Sequence, residues 1–206
     1  KSIVLVPSDA SATAEKILAS EPLFRIGIAS ETIVFLIEIA LSAILYVLLK
    51  PVDPVISLAA AFSRLAEAII QAVNLIPSIF ILLLVGGTGY LTVFGSDQLN
   101  ALVLLFLDAY GYVTLVWGFF FGFHLLLLGY LVYKSGYFPR ILGILLVVAG
   151  SGYLLQSYGA FVLPQFSDFL DTLVMVVAVP GELAFTIYLL WKGIRVKSWE
   201  ARAANQ

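Results

Sequence analysis

Cysteine is absent from the 206 residues, and histidine occurs once. The first absence excludes disulfides, thiol catalysis and thiolate-held metals. The second excludes a multi-histidine metal site within the chain. Charge is also scarce: Asp, Glu, Lys and Arg together make 12 % of the sequence and the net charge is −2. Nothing in that balance points to nucleic acid. No Walker loop, nucleophile elbow, haem motif or HExxH spacing occurs, and no lysine sits at mid-span to form a Schiff base. No metal and no cofactor is therefore expected. What fills the chain is hydrocarbon. Hydrophobic residues are 62 % and mean hydropathy is +1.06, far from the composition of ordinary soluble domains.

These residues gather into five long apolar runs, which define an all-α, polytopic transmembrane helical bundle forming one domain over residues 1–206. Residues 1–21 read as an extracytoplasmic surface segment holding a short helix, with Ser8 or Asp9 as its N-cap. The first span is expected over about 23–49, starting behind Glu21-Pro22 and stopping at the KPVDP turn. The second covers about 55–85, with a kink at Pro77. Residues 98–134 form a third segment of roughly 55 Å at 1.5 Å per residue, too long for a hydrocarbon core of about 30 Å. A break is expected at Tyr110–Tyr112. The fourth span covers about 141–158 and the fifth about 169–191, with a bend at Pro180-Gly181. Residues 193–206 are expected to be a basic cytoplasmic tail.

Lysine and arginine fix the orientation. Lys50, Lys134, Arg140, Lys192, Arg195, Lys197 and Arg202 fall on one side. Lys1 and Lys16 fall on the other, and Arg25 and Arg64 lie within spans. The C-terminus is therefore expected in the cytoplasm of a bacterial inner membrane. A chain that begins outside calls for a sixth helix or a signal peptide ahead of it.

Ionisable residues inside the spans carry the chemistry. On the second span Ser57, Arg64, Glu67, Gln71, Asn74 and Ser78 share an arc of about 100°. Glu31, Glu38 and Ser42 share a face of the first span, and Asp171, Met175, Glu182 and Thr186 a face of the fifth. Counted from the cytoplasmic ends, Glu38, Arg64, Glu67, His124 and Glu182 all lie roughly 15–20 Å deep. A mid-membrane charge needs a partner, water or a function, so these five are expected to converge as a buried polar cluster. Arg25, Glu31, Asn74 and Asp108 would form an outer, wetter layer.

Three readings of the cluster stay open. It is an internal ion-pair network serving folding and assembly; it relays protons or holds a polar solute; or, least favoured, it ligates a catalytic metal. A second pattern concerns packing. Gly111, Gly118, Gly122 and Gly129 fall within about 40° of each other on the third segment, a face suited to close helix contact. Aromatic residues at the segment ends (Tyr46, Tyr90, Phe94, Tyr133, Tyr137, Phe138, Trp191 and Trp199) read as an interfacial belt.

The stretches SLAAAFSRLAEAIIQAVNLI, FGFHLLLLGYLVYKSGYFPRILGILLVVAGSGYLL and PGELAFTIYLLWKG, with AEKILASEPLFRIG and YVLLKPV, resemble a bacterial integral membrane family known as domain of unknown function 4386. The resemblance covers essentially the whole chain. It implies a bacterial origin and a six-helix architecture, and transfers no functional residue. The residues themselves favour an accessory or interaction membrane protein over a small-solute or proton transporter or sensor, with a membrane enzyme third. Lipid, and other membrane subunits, are the expected partners.

Overall fold

The computed structural model describes residues 9–204, and every element in it is helical: α1 Ala10–Ala19, α2 Glu21–Leu49, α3 Pro54–Val73, α4 Leu75–Val85, α5 Ser96–Ser135, α6 Arg140–Val162, α7 Ser167–Trp191 and α8 Val196–Ala203, with 3-10 turns at Gly89–Val93 and Pro164–Phe166. Lys1, counted on the outer side above, lies outside the described residues. Five helical segments are long and apolar enough to cross a membrane: α2, α3 continued by α4, α5, α6, and α7 with its preceding turn.

Local chemistry explains the helix starts. The Asp9 side chain accepts from the Ala12 amide at 2.9 Å and caps α1. Asp53 Oδ1 accepts from the Val55 and Ile56 amides, each at 3.0 Å, and caps α3. Gln98 reaches back to the Gly95 amide at 2.9 Å, the return half of a capping box, at the start of α5.

The second span is kinked ahead of Pro77: α3 stops at Val73 and α4 starts at Leu75, with Asn74 between them still helical and its amide bonded to the Ile70 carbonyl at 2.9 Å, because proline lacks the amide that would bond the carbonyl four residues back and crowds that carbonyl. One expectation needs correction. The third segment does not break at Tyr110–Tyr112, and α5 runs unbroken for 40 residues. A lone glycine costs a helix only about 1 kcal/mol, and Thr114 Oγ1 bonds back to the Tyr110 carbonyl at 2.9 Å within the helix. Beyond α7, residues 196–203 form the short helix α8.

The chain divides into two compact units. Unit 1 is Lys1–Leu36 with Ile69–Thr114, and unit 2 is Ile37–Ala68 with Leu115–Gln206. Unit 1 packs around Ile17, Phe24, Ile81 and Val103, with Phe80 stacked on Phe106 at 4.9 Å between ring centroids.

Unit 2 has the larger core, built from Leu45, Leu49, Phe121, Leu125, Leu131, Leu146, Val174 and Phe185 among others. Hydroxyl groups stitch its helices: Ser42 donates to the Ala61 carbonyl at 2.8 Å, Ser57 to Tyr46 at 3.0 Å and Ser63 to Phe120 at 2.8 Å. In a hydrocarbon environment such bonds supply helix association that the hydrophobic effect does not. Between α5 and α6 the backbones meet at glycine. A Cβ on Gly122 would lie 2.9 Å from the Gly150 carbonyl oxygen, and one on Gly129 2.7 Å from that of Gly143. Gly118 joins the same face, against Ser157. Gly111 does not. A Cβ there would meet nothing within 4 Å, and the residue belongs to unit 1.

One end of unit 2 is held by a clasp. Trp199 Nε1 donates to the Leu48 carbonyl at 3.0 Å, and the Tyr137 hydroxyl donates to the same oxygen at 2.7 Å. Arg202 donates through Nε to Pro51 at 3.1 Å and through Nη1 to Lys134 and Ser135 at 3.0 and 3.2 Å. These acceptors are carbonyls at and just beyond the C-termini of α2 and α5, which have no partner within their own helices. Tyr137 and Phe138 are thus fully buried core residues instead of belt residues. Burial pushes the Tyr137 phenol up to about 12, so it remains a donor at any ordinary pH.

Candidate functional site

The five residues of the expected buried cluster all belong to unit 2. Arg64 lies on α3, one turn before Glu67. Its Nη1 is 3.7 Å from Glu67 Oε1, and its Nη2 is 3.9 Å from Glu38 Oε1 on α2. Charge-assisted hydrogen bonds run nearer 2.7–2.9 Å, so these groups are close without being bonded. Glu67 is 0 % exposed, and neither of its oxygens has a hydrogen-bond partner. Arg64 Nε, Glu38 Oε2 and Glu182 Oε1 are likewise buried without one.

His124 comes from α5 and is 1 % exposed. Its Nδ1 lies 2.8 Å from the Ala60 carbonyl. That contact requires Nδ1 to carry the proton, which leaves the Nε2 lone pair of the neutral ring facing inward; Nε2 has no hydrogen-bond partner. Glu182 comes from α7. It faces Arg64 and Glu67 electrostatically, and the Tyr153 hydroxyl is directed at its carboxyl.

Aromatic rings close one side. Phe121 lies under the Arg64 guanidinium at 5.9 Å from its centroid. Trp117 stacks on Phe121 at 4.7 Å, and Tyr153 meets Phe121 edge-on at 4.9 Å. The sequence reading missed Trp117, Phe121 and Tyr153. A signal for two of them was present: 117, 121, 124 and 128 recur at helical spacing on one face of α5, about 110° round from the glycines.

A cavity of about 280 Å³ reaches this cluster, near the lower end of the ~300–1,000 Å³ usual for ligand pockets. Arg64, Glu182 and Thr186 are its only polar lining residues; the rest are Leu and Phe side chains. A larger groove in unit 1, about 530 Å³, is lined only by residues 16–31 of α1 and the first turns of α2. It is an open helix face along which Lys16, Ser20, Ser30 and Glu31 are the polar lining residues.

The outer layer belongs to unit 1, where Tyr110 is its hub. The Tyr110 hydroxyl donates to Glu31 Oε1 at 3.3 Å, and Asn74 Nδ2 donates to the Tyr110 carbonyl and to Thr114 Oγ1, both at 3.1 Å. Arg25 turns away to Glu21, 2.7 Å distant on its own helix. Asp108 is exposed in the same unit. On α7, Asp171 and Met175 are exposed and do not share the interior with Glu182; Asp171 Oδ1 accepts from Gln156 at 2.7 Å. Among the described residues, no three His, Asp or Glu side chains come together in a way that would hold a metal ion.

The comparisons with known proteins match this architecture to a family and not to an activity. The model for domain of unknown function 4386 (DUF4386) matches residues 1–193, and the chain belongs to that family. An uncharacterized protein from Archaeoglobus fulgidus is 32 % identical over 161 residues, covering 78 % of this chain and 80 % of the relative. No solved structure matches the chain.

Proposed function

We propose that this multi-pass membrane protein is a small-solute carrier or sensor whose working site is the Arg64–Glu182 cluster of unit 2, with the carboxylates as its proton-exchanging groups. The observation that carries the reading is the cavity: it leads from hydrocarbon to a guanidinium and a carboxyl that each keep an unpartnered polar atom. A charge cluster kept for folding alone repays its desolvation through hydrogen bonds, and this one makes almost none. The accessory-subunit reading fits less well. Glu67 and His124 are covered by their own chain, whereas a subunit contact uses a surface. The enzyme reading draws on no nucleophile–base pair here.

The experiment is native mass spectrometry of protein released gently from nanodiscs. Wild type is expected to retain a non-covalent small molecule, and Leu189→Trp, which fills the mouth of the cavity, is expected to lose it at unchanged thermal stability. A bare wild-type mass that stays bare after lipid extract is added back sinks the proposal.

The basic residues support a cytoplasmic location for α8 in a cell membrane. Ser198 is exposed. A cysteine placed there is expected to resist a membrane-impermeant maleimide in intact cells and to react after permeabilisation. Reaction in intact cells reverses the topology.

A further inference from the structure

The cavity has a direction. On α7 it is lined from Glu182 to Leu190, a rise of about 12 Å. On α5 its lining runs the same way, from Phe121 to Leu128, and on α2 from Leu41 to Leu45. Arg64 and Glu182 sit at the deep end. At the other end, nearest α8, Leu190 is 83 % exposed. The space is a slot, with charge at the bottom, hydrocarbon walls and a mouth opening where lipid surrounds the helices. A water-soluble solute would leave those walls unused. A two-chain phospholipid exceeds the volume.

The deep end also specifies a head group. Arg64 and Glu182 line it, one a donor group and the other a carboxyl, and the slot offers them no other charged partner. A polar group left unpaired in a low-dielectric site costs more than a hydrogen bond returns, so a head that serves both side chains gains twice. It must accept from Arg64 and donate to Glu182. A carboxylic acid does so through its carbonyl and hydroxyl, and a primary carboxamide through its carbonyl and N–H. An alkylamine offers only donors and meets the guanidinium unfavourably. An alkane offers neither.

We propose that unit 2 binds a single-chain amphiphile headed by a carboxylic acid or primary carboxamide, inserted head first into the slot. This rests on the reading of the cluster as a solute site and names the class of solute. Thr186, also in the lining, stands one turn beyond Glu182 toward the mouth and offers the head one further hydroxyl.

The test is equilibrium binding of radiolabelled decanoic acid to the protein in phosphatidylcholine nanodiscs, corrected with empty nanodiscs. Decanamide is expected to displace the label, while decylamine should need at least about tenfold more. Glu182→Leu, which removes the acceptor, and Leu189→Trp, which narrows the mouth, should each weaken binding at least about tenfold. Melting temperatures report whether each variant still folds, and Thr186→Val, expected to bind several-fold more weakly, gives a third variant. If decylamine displaces as well as decanamide, or folded Glu182→Leu binds like wild type, the head-group assignment is overturned while the site stands. Should no single-chain compound bind and the wild-type mass also be bare, the site falls with it.

Discussion

Replacing Gly143 with leucine is expected to cost more stability than any other single change along the α5–α6 seam. A Cβ at position 143 would lie 2.5 Å from the Gly129 carbonyl oxygen, 2.7 Å from the Tyr133 amide nitrogen and 2.8 Å from the Tyr133 Cβ. Two of these three atoms are backbone, so no rotamer change relieves the clash. The reciprocal contact is nearly as close, because a Cβ on Gly129 would lie 2.7 Å from the Gly143 carbonyl oxygen. One layer up, a Cβ on Gly150 would lie 2.6 Å from the Gly122 carbonyl. The α5–α6 seam is therefore closed by backbone at two levels. Overpacking in an ordinary core costs about 1–3 kcal/mol, and more where the surroundings cannot yield. For Gly143→Leu we expect ~3 kcal/mol or more, a large share of the ~5–15 kcal/mol that holds a typical domain together. Gly143→Ala should already show a sizeable part of it. Gly111→Ala is the control. Its Cβ meets nothing, so helix propensity alone should make it neutral or stabilising by up to about 1 kcal/mol. Unfolding in a graded SDS–detergent series measures all three. Equal midpoints for Gly143→Leu and Gly111→Ala would falsify the seam.

Arg64→Leu should be the most damaging change at the charged site. It leaves Glu38 and Glu67, 3.9 and 3.7 Å from the lost guanidinium, with no counter-charge in a place water does not reach. Removing one partner of a buried pair costs about 3–5 kcal/mol, mostly through the stranded charge. The diagnostic is the double variant. With Glu67→Gln in the background, Arg64→Leu should recover about 1–3 kcal/mol relative to the sum of the two single changes. Additive losses would mean that the two side chains are merely neighbours. Glu67→Gln alone should cost little, since the amide keeps the volume and removes the charge.

Span length made the architecture legible. Helices of this hydropathy have few alternatives, and 21–49, 140–162 and 167–191 fall within a few residues of their sequence boundaries. Helical angle and depth likewise brought Glu38, Arg64, Glu67, His124 and Glu182 to one unit, because a polar side chain in hydrocarbon has only the interior to face. Other features depended on what a neighbour offers. Asp171 was grouped with Glu182 by angle, yet Gln156 on α6 holds it at the exposed side. Tyr137 and Phe138 looked interfacial by position, but the clasp covers them. Gly143 and Gly150 repeat the seven-residue spacing of Gly122 and Gly129, a match readable only once α5 and α6 are known to be antiparallel neighbours.

The clasp has a consequence for biosynthesis. Trp199 and Arg202 bond carbonyls of Leu48 and Pro51 that precede them by 151 residues in each case. During translation α2 and α5 are in the bilayer long before these donors leave the ribosome. Until then the Leu48 carbonyl has only the Tyr137 hydroxyl from within the chain, and the Pro51, Lys134 and Ser135 carbonyls wait for Arg202. Closing such a long loop carries an entropic cost, and the bonds that reward it arrive only with α8. The end of α2 thus stays readable to membrane quality-control machinery for most of the chain's synthesis and the end of α5 for its last third, and α8 is the element that removes that signal.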